Sequence, residues 1–284
     1  MNWLDEGGLY SQIAFFLRED LGRGDITSQA IVARNTRARG RFIAGEGMIV
    51  AGLEAAEEVF LTLDGQQQLE AFVSDGEEIE AGKVIARIEG FADVLLSGQR
   101  VALNLLQRLS AVATLTNKFV RVVEGTGVTI VDSRETTPGM RMLERYAVLL
   151  GGGSNNHFGL DDGVVVTENH VAVAGGTAAA VKNAKDRLGH LHKIEVQVSA
   201  DNGVREALAS GADVLLFENI QPEDLARLAA IARELNPAVT IECAGQVTLE
   251  SARAYAQAGA HMISIGALTN SMRAMNIGFR IQSL

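Results

Sequence analysis

Several short stretches place acids, amides and an arginine where a run of apolar residues ends. They are Asp132-Ser133-Arg134-Glu135, Thr167-Glu168-Asn169-His170, Glu195 with Gln197, Glu218-Asn219, Glu242 with Ala244-Gly245, and Gly266. Carboxylates and imidazoles gathered at one mouth could move protons or hold a divalent cation. Glu135, His157, Glu168, His170, Glu195 and Glu218 are the candidates for that chemistry. Arg134 could grip a carboxylate or phosphate through two parallel bonds. Gly245 and Gly266, each just before a helix, could let backbone N–H groups reach a phosphate. Glycine at such places also serves a plain turn. Glu195 and Gln197 are two apart in a strand and therefore face the same way. A buried carboxylate needs a partner, and Arg134 is the cation expected to supply it.

Such groups converge only if the strands carrying them run parallel. From Val128 onward the pattern is strand, turn, helix, repeated. Strands are predicted at 128–132, 163–167, 193–198, 213–217, 238–242 and 262–265, with helices at about 139–150, 174–188, 203–210, 223–235 and 249–258. The later repeats have the size of one βα unit. No GxGxxG follows the first strand, which disfavours a dinucleotide-binding sheet. The pattern fits a βα barrel of fewer than eight strands, with its site at the C-terminal strand ends. Before it, helices are predicted at 8–20 and 53–63 around a strand at 39–50, and two short antiparallel strands at 69–89. A long helix from about Asp93 to Val123 is apolar on more than one side, so two neighbours should bury it.

Composition narrows the function classes. A formal net charge of −10 argues against nucleic acid, which needs clustered Lys and Arg. Hydrophobic residues make up 47% of the 284, enough for a sizeable core. No apolar run reaches the roughly 18 residues that span a bilayer. The first ten residues lack a basic stretch followed by an apolar one, so no secretory signal is expected there. Cys243 is the only cysteine, which leaves no intrachain disulfide and suits the cytoplasm.

The ordered motifs REDLGRGDIT (18–27), AGLEAAEEVF (51–60), SGQRVALNLLQRLSAVAT (97–114), DSRETTPGMRMLERYAV (132–148), GGGSNNHFGL (151–160), ENH (168–170), IEVQV (194–198), LLFEN (215–219) and SIGALT (264–269) cover nearly the whole chain. Together they resemble the quinolinate phosphoribosyltransferase family, also called nicotinate-nucleotide pyrophosphorylase (carboxylating). The resemblance implies an α/β fold of type II phosphoribosyltransferase kind. An N-terminal α/β sandwich domain would cover 1–112, with 275–284 packing back on it, and an incomplete βα barrel would cover 113–274. It implies transfer of ribose 5-phosphate from phosphoribosyl pyrophosphate to the ring nitrogen of quinolinate, with Mg²⁺, followed by loss of CO₂. It also implies a homodimer in which Arg100 enters the partner's site.

Carried over position by position, the resemblance assigns Glu218, Gln197 and Arg134 to catalysis. Arg100, Arg134, Glu135, Asn156, His157 and Thr167 fall on substrate, Ala244, Gly245 and Gly266 on phosphate, and Glu218 on the metal. Several of these depart from the family pattern. Glu135 stands for a lysine, Asn156-His157 for His-Arg, Thr167 for a lysine, Gln197 for a glutamate, Glu218 for an aspartate and Ala244 for a serine. The site shifts by about three charges toward negative, a cost of several kcal/mol for a polyanion at short range. The expected activity is therefore phosphoribosyl transfer to a pyridine carboxylate or related heterocycle, with an altered acceptor possible. A metal-assisted lyase or decarboxylase on the same scaffold and a non-catalytic family member are the alternatives.

Overall fold

A computed structural model of the protein describes residues 6–284. The extreme N-terminal residues, for which no signal segment is expected, lie outside the described residues. In chain order the elements are α1 (Glu6–Leu21), α2 (Ile26–Ile31), β1 (Arg37–Ala44), β2 (Met48–Ile49), α3 (Leu53–Leu63), β3 (Leu69–Ala71), β4 (Glu78–Ile79), β5 (Val84–Phe91), α4 (Ala92–Val123), β6 (Thr129–Val131), α5 (Arg141–Leu150), β7 (Val164–Val166), α6 (Glu168–Ala174), α7 (Thr177–Arg187), β8 (Ile194–Gln197), α8 (Asp201–Ser210), β9 (Val214–Glu218), α9 (Pro222–Leu235), β10 (Thr240–Ala244), α10 (Ala252–Gln257), β11 (Met262–Ser264), α11 (Ala267–Asn270) and β12 (Ile277–Ser283). Among them no helix is long and apolar enough to cross a membrane.

The chain divides into two units. The first runs to Asn117 and also takes Thr136–Gly152 and Asn270–Leu284. Its sheet is antiparallel where paired, in the order β12-β1-β5-β3. β1 buries alternate residues, the period of a half-buried strand. Phe42 from this strand packs against Phe279 of β12, the rings tilted at 53° with centroids 4.8 Å apart. Gly40 is a glycine because a Cβ there would sit 2.1 Å from the Phe279 ring. The C-terminal strand therefore returns to the first sheet. On α4, Leu95, Leu106, Leu109 and Val112 are fully buried, as its apolar pattern predicts.

The sequence pattern placed the helix near 139–150 in the barrel, yet α5 packs within the first unit. Three contacts hold it there. Glu144, fully buried, accepts from Arg108 Nε at 2.8 Å and from the Thr137 backbone N–H at 3.0 Å. Tyr146 donates to Asp75 at 3.0 Å, and Asp75 in turn accepts from Leu53 N–H at the start of α3. A Cβ on Gly151 would meet the Ala113 carbonyl at 2.4 Å, so only glycine lets the end of α5 approach α4 so closely.

The second unit, residues 118–135 and 153–269, holds six parallel strands in the order β6-β11-β10-β9-β8-β7. Neighbours in sequence are neighbours in the sheet, except that the first strand lies beside the last. That order is what closing a barrel demands, and β6 and β7 are left as the two ends of an incomplete one. Ser154 bridges to Val131 in parallel and extends the β6 end. The helices follow their apolar faces: α9 has Pro222 in its first turn and buries Leu225, Leu228, Ala229 and Ala232. The helix expected at 174–188 is α7, which starts after Gly175 and Gly176 at φ of +86° and +135°, and the short α6 before them was not expected from the sequence. The short α2, unexpected from the sequence, starts where Asp25 accepts from the backbone N–H groups of Thr27 and Ser28.

Glu144→Gln leaves Arg108 paired with a neutral group and should cost about 2 kcal/mol, reduced from a fully buried pair because Arg108 keeps some access to water. Urea denaturation reads this as a lower midpoint at unchanged slope; an unchanged midpoint would show that the pair does not anchor α5.

Candidate active site

The C-terminal ends of the six parallel strands open into a cavity of roughly 1000 Å³ lying wholly within the second unit. Glu195 of β8, Glu242 of β10 and Ser264 of β11 form its floor. Leu216 of β9 and Val166 of β7 add apolar wall. Asn156 and His157 line one side, and Arg134, Thr167, His170, Glu218 and Ala244 reach its rim. The parallel register puts Gln197 beside Leu216, Leu216 beside Glu242, and Glu218 beside Ala244.

Glu195 and Glu242 decide the electrostatics of the floor. Both are buried. Burial pushes the Glu195 carboxyl up to about 8, and the charge of Glu242 and a hydrogen bond to it push the same way. Burial also raises Glu242, against hydrogen bonds from Ser264, Glu195 and Asn156 that favour its ionised form. The pair therefore shares one proton, carried by Glu195 and donated to Glu242. Glu195 Oε1 is buried and meets no N–H or hydroxyl donor. Arg134, expected to neutralise Glu195, is exposed at the rim, and the neighbour that stabilises the buried acid is a second acid.

Asn156 ties the floor to β6. Its side-chain amide donates to Glu242 Oε1 at 3.0 Å, and its backbone N–H donates to Asp132 Oδ1 at 2.7 Å. Asp132 is fully buried, and its own N–H donates to the Ser154 carbonyl. The His157 N–H donates to Asn156 Oδ1 at 2.7 Å.

The rim is held by local bonds. Gln197 Nε2 donates to Glu218 Oε2 at 2.9 Å, and Gln197 Oε1 accepts from the Glu168 N–H at 3.3 Å. Thr167 and His170 form a capping box on α6, with the Thr167 N–H donating to His170 Nδ1 at 3.1 Å. His170 thus orients the start of α6. Glu135 is exposed; its N–H donates to Ser133 Oγ and its carbonyl accepts from Thr269. Gly245 has φ +110°, and a Cβ there would sit 2.3 Å from Asn219 Oδ1, a turn reason for glycine independent of any ligand. Gly266 lies in the turn before α11. Cys243 is buried, its thiol pushed up to about 12 first by burial, which leaves it an inert core residue.

Of the residues singled out from sequence, Arg134, Asn156, His157, Thr167, Glu218 and Ala244 line the cavity. Gln197 joins it through Glu218, while Glu135, Gly245 and Gly266 occupy the adjoining strand ends and loops. Arg100 is exposed on α4 in the first unit, along a groove shared with Asp25 and Ser97. The acids and histidines named for a metal-assisted lyase are divided between floor, rim and loops. Among the described residues no three His, Cys, Asp or Glu side chains gather as a metal cluster. Sequence reasoning named Asp132 within its strand-end stretch but missed Ser264, a small polar residue that fits a strand end as well as a site.

Two family models match the chain: the quinolinate phosphoribosyl transferase N-terminal domain over residues 25–110 and the C-terminal domain over 112–280. A Bacillus subtilis (strain 168) protein named "Probable nicotinate-nucleotide pyrophosphorylase (carboxylating)" is 42% identical over 268 residues, 94% of this chain and 91% of its own length. The mitochondrial quinolinate phosphoribosyltransferase (decarboxylating) 2 of Nicotiana glauca is 32% identical, over 94% of this chain and 80% of its own. The solved nicotinate-nucleotide pyrophosphorylase of Francisella tularensis superposes with a TM-score of 0.91 at 33% identity, covering 98% of each chain.

The shared proton has a thermodynamic consequence. An unfolded glutamate releases its proton near 4.5, whereas folded Glu195 keeps it to about 8. Between those values the folded state holds more protons, so stability falls as pH rises. The slope is at most about 1.4 kcal/mol per pH unit. Denaturation curves from pH 5 to 8 should show this decline and should flatten in Glu195→Gln; parallel profiles for the two proteins would refute the shared proton.

Proposed function

This chain belongs to the quinolinate phosphoribosyltransferase family, and on that premise we propose that it transfers ribose 5-phosphate from phosphoribosyl pyrophosphate to the ring nitrogen of a pyridine carboxylate. The observation that carries the reading is the cavity at the C-terminal strand ends, in a chain matched across both family domains. Arg134 is the single Lys or Arg among the residues lining it, placed to hold an acceptor carboxylate bidentately. Leu216 and Val166 offer apolar surface to a flat ring.

The ring nitrogen's lone pair forms a bond to C1′ of the ribose while the C1′–O bond to pyrophosphate breaks. Positive charge develops on the sugar as the leaving group departs, and Glu218 at the rim, oriented by Gln197, stabilises it. With quinolinate, the carboxylate beside the nitrogen then leaves as CO₂, its electron pair held by the adjacent pyridinium until a proton arrives. The turns at Gly245 and Gly266, with Ala244, would receive the donor's phosphate. Glu218 also fits what Mg²⁺ requires of a protein when phosphates and water supply its other ligands: one exposed carboxylate. Held there with the donor, such an ion would supply positive charge to the leaving pyrophosphate. Glu135, Asn156, His157 and Thr167 belong to the acceptor side in this reading. A homodimer with Arg100 donated to the partner's site would add a second cation. The lone, buried Cys243 suits a cytoplasmic enzyme.

With phosphoribosyl pyrophosphate, Mg²⁺ and a panel of pyridine carboxylates that includes quinolinate, mass spectrometry should find pyrophosphate and a ribonucleotide in equal amounts. Glu218→Ala should lower kcat about hundredfold. Absence of pyrophosphate release with every acceptor would overturn the reading.

A further inference from the structure

The outer face of the antiparallel sheet in the first unit carries charge opposite in sign to that of the chain. Phe42 turns inward to Phe60 of α3, with ring centroids 6.3 Å apart, so Arg37, Arg39 and Arg41 on the alternate positions of β1 face outward. Strand register sets Arg280 of β12 and Arg87 of β5 directly opposite Arg41, one on each side. Three arginines thus share one row across strands about 4.8 Å apart. Like charges so placed destabilise a sheet. Two glutamates stand on the same face: Glu70 pairs with Arg87, and Glu89 with Arg39 at 2.5 Å. Arg41 instead donates to Gln282 Oε1 at 3.1 Å. Among the described residues no carboxylate pairs with Arg37, Arg41 or Arg280.

Two aromatic rings flank these arginines. Phe91 lies opposite Arg37, whose guanidinium sits 5.3 Å from the ring centroid, and the guanidinium of Arg87 sits 5.8 Å from the ring of Phe72. Phe72 and Phe91 remain 46% and 36% exposed. An acidic peptide would use the cations alone. A single nucleic-acid strand uses both features, because its phosphates take the cations and its bases stack on rings and guanidinium planes. We propose that this face binds single-stranded nucleic acid, with phosphates on Arg37, Arg41 and Arg280 and a base stacked at Phe91. The net charge of −10 argues against nucleic acid for the chain as a whole, but it averages over a face where five arginines meet two glutamates. The site lies wholly within the first unit and stands or falls independently of the transferase reading.

The test is fluorescence anisotropy of a labelled oligouridylate of about twelve nucleotides, titrated with the full chain between about 50 and 200 mM salt. A Kd on the order of 10⁻⁵ M is expected at the lower salt, with a log–log salt slope of about −2, as three phosphates of a single strand give. The double variant Arg41→Gln, Arg280→Gln should flatten that slope to about −0.7. Phe91→Ala should weaken binding about tenfold at unchanged slope, a split that general loss of folded protein does not produce. If a variant fails to fold, competition on the wild-type chain decides. Displacement by polyglutamate as readily as by unlabelled oligouridylate would overturn the proposal and give the face to an acidic protein. Absence of binding at the lower salt, or binding that both variants leave unchanged, would overturn it as well.

Discussion

Parallel pairing of β6 with β11 is the constraint on which the second unit rests. It sets the first strand of the series beside the last, so the sheet must curl until its strand ends face a common mouth. Every side chain with chemical potential in that unit then inherits its position from strand register. Glu242 falls beside Leu216, and Ala244 falls between Glu218 and Ser264. A slip of one residue would turn each of these side chains to the opposite face.

The incomplete closure matters as much as the curl. At the β6 end, residues 154–156 take the place of a further strand, with Ser154 bridging to Val131. That stretch delivers Asn156, whose backbone satisfies buried Asp132 and whose amide reaches Glu242. Two buried acids can coexist on the floor because one keeps its proton and the other collects hydrogen bonds. Arg134 is left as the one Lys or Arg among the residues lining the cavity. In the proposed reaction, Mg²⁺ bound with the donor and Arg100 from a partner subunit would supply compensating charge.

Much of the fold was legible because its signals are local. The helix at 53–63 was read to the residue from its apolar period, and all six barrel strands from short apolar runs between turns. What escaped depends on distant partners or on single turns. The short α6 escaped because it is ended by two successive positive φ values, at Gly175 and Gly176, and starts on a side-chain cap between Thr167 and His170. The association of α5 with the first unit rests on Glu144 meeting Arg108, 36 residues away. The site shows the same division. Glu195 and Glu242 stood out as acids in apolar strands, but their shared proton requires side chains from β8 and β10 to meet across β9, a distance no sequence period encodes. Arg134 looked like their natural counter-ion because it is nearby in type and motif. It lies instead beyond the end of β6, exposed at the rim.

The most direct measurement is diffraction from crystals grown with phosphoribosyl pyrophosphate, Mg²⁺ and quinolinate. The account predicts the donor's phosphate against the turns at Gly245 and Gly266, its ribose beside Glu218, and the ring between Arg134 and the Glu195–Glu242 floor. Density for the donor or the ring anywhere other than the mouth of the six-stranded sheet would contradict it.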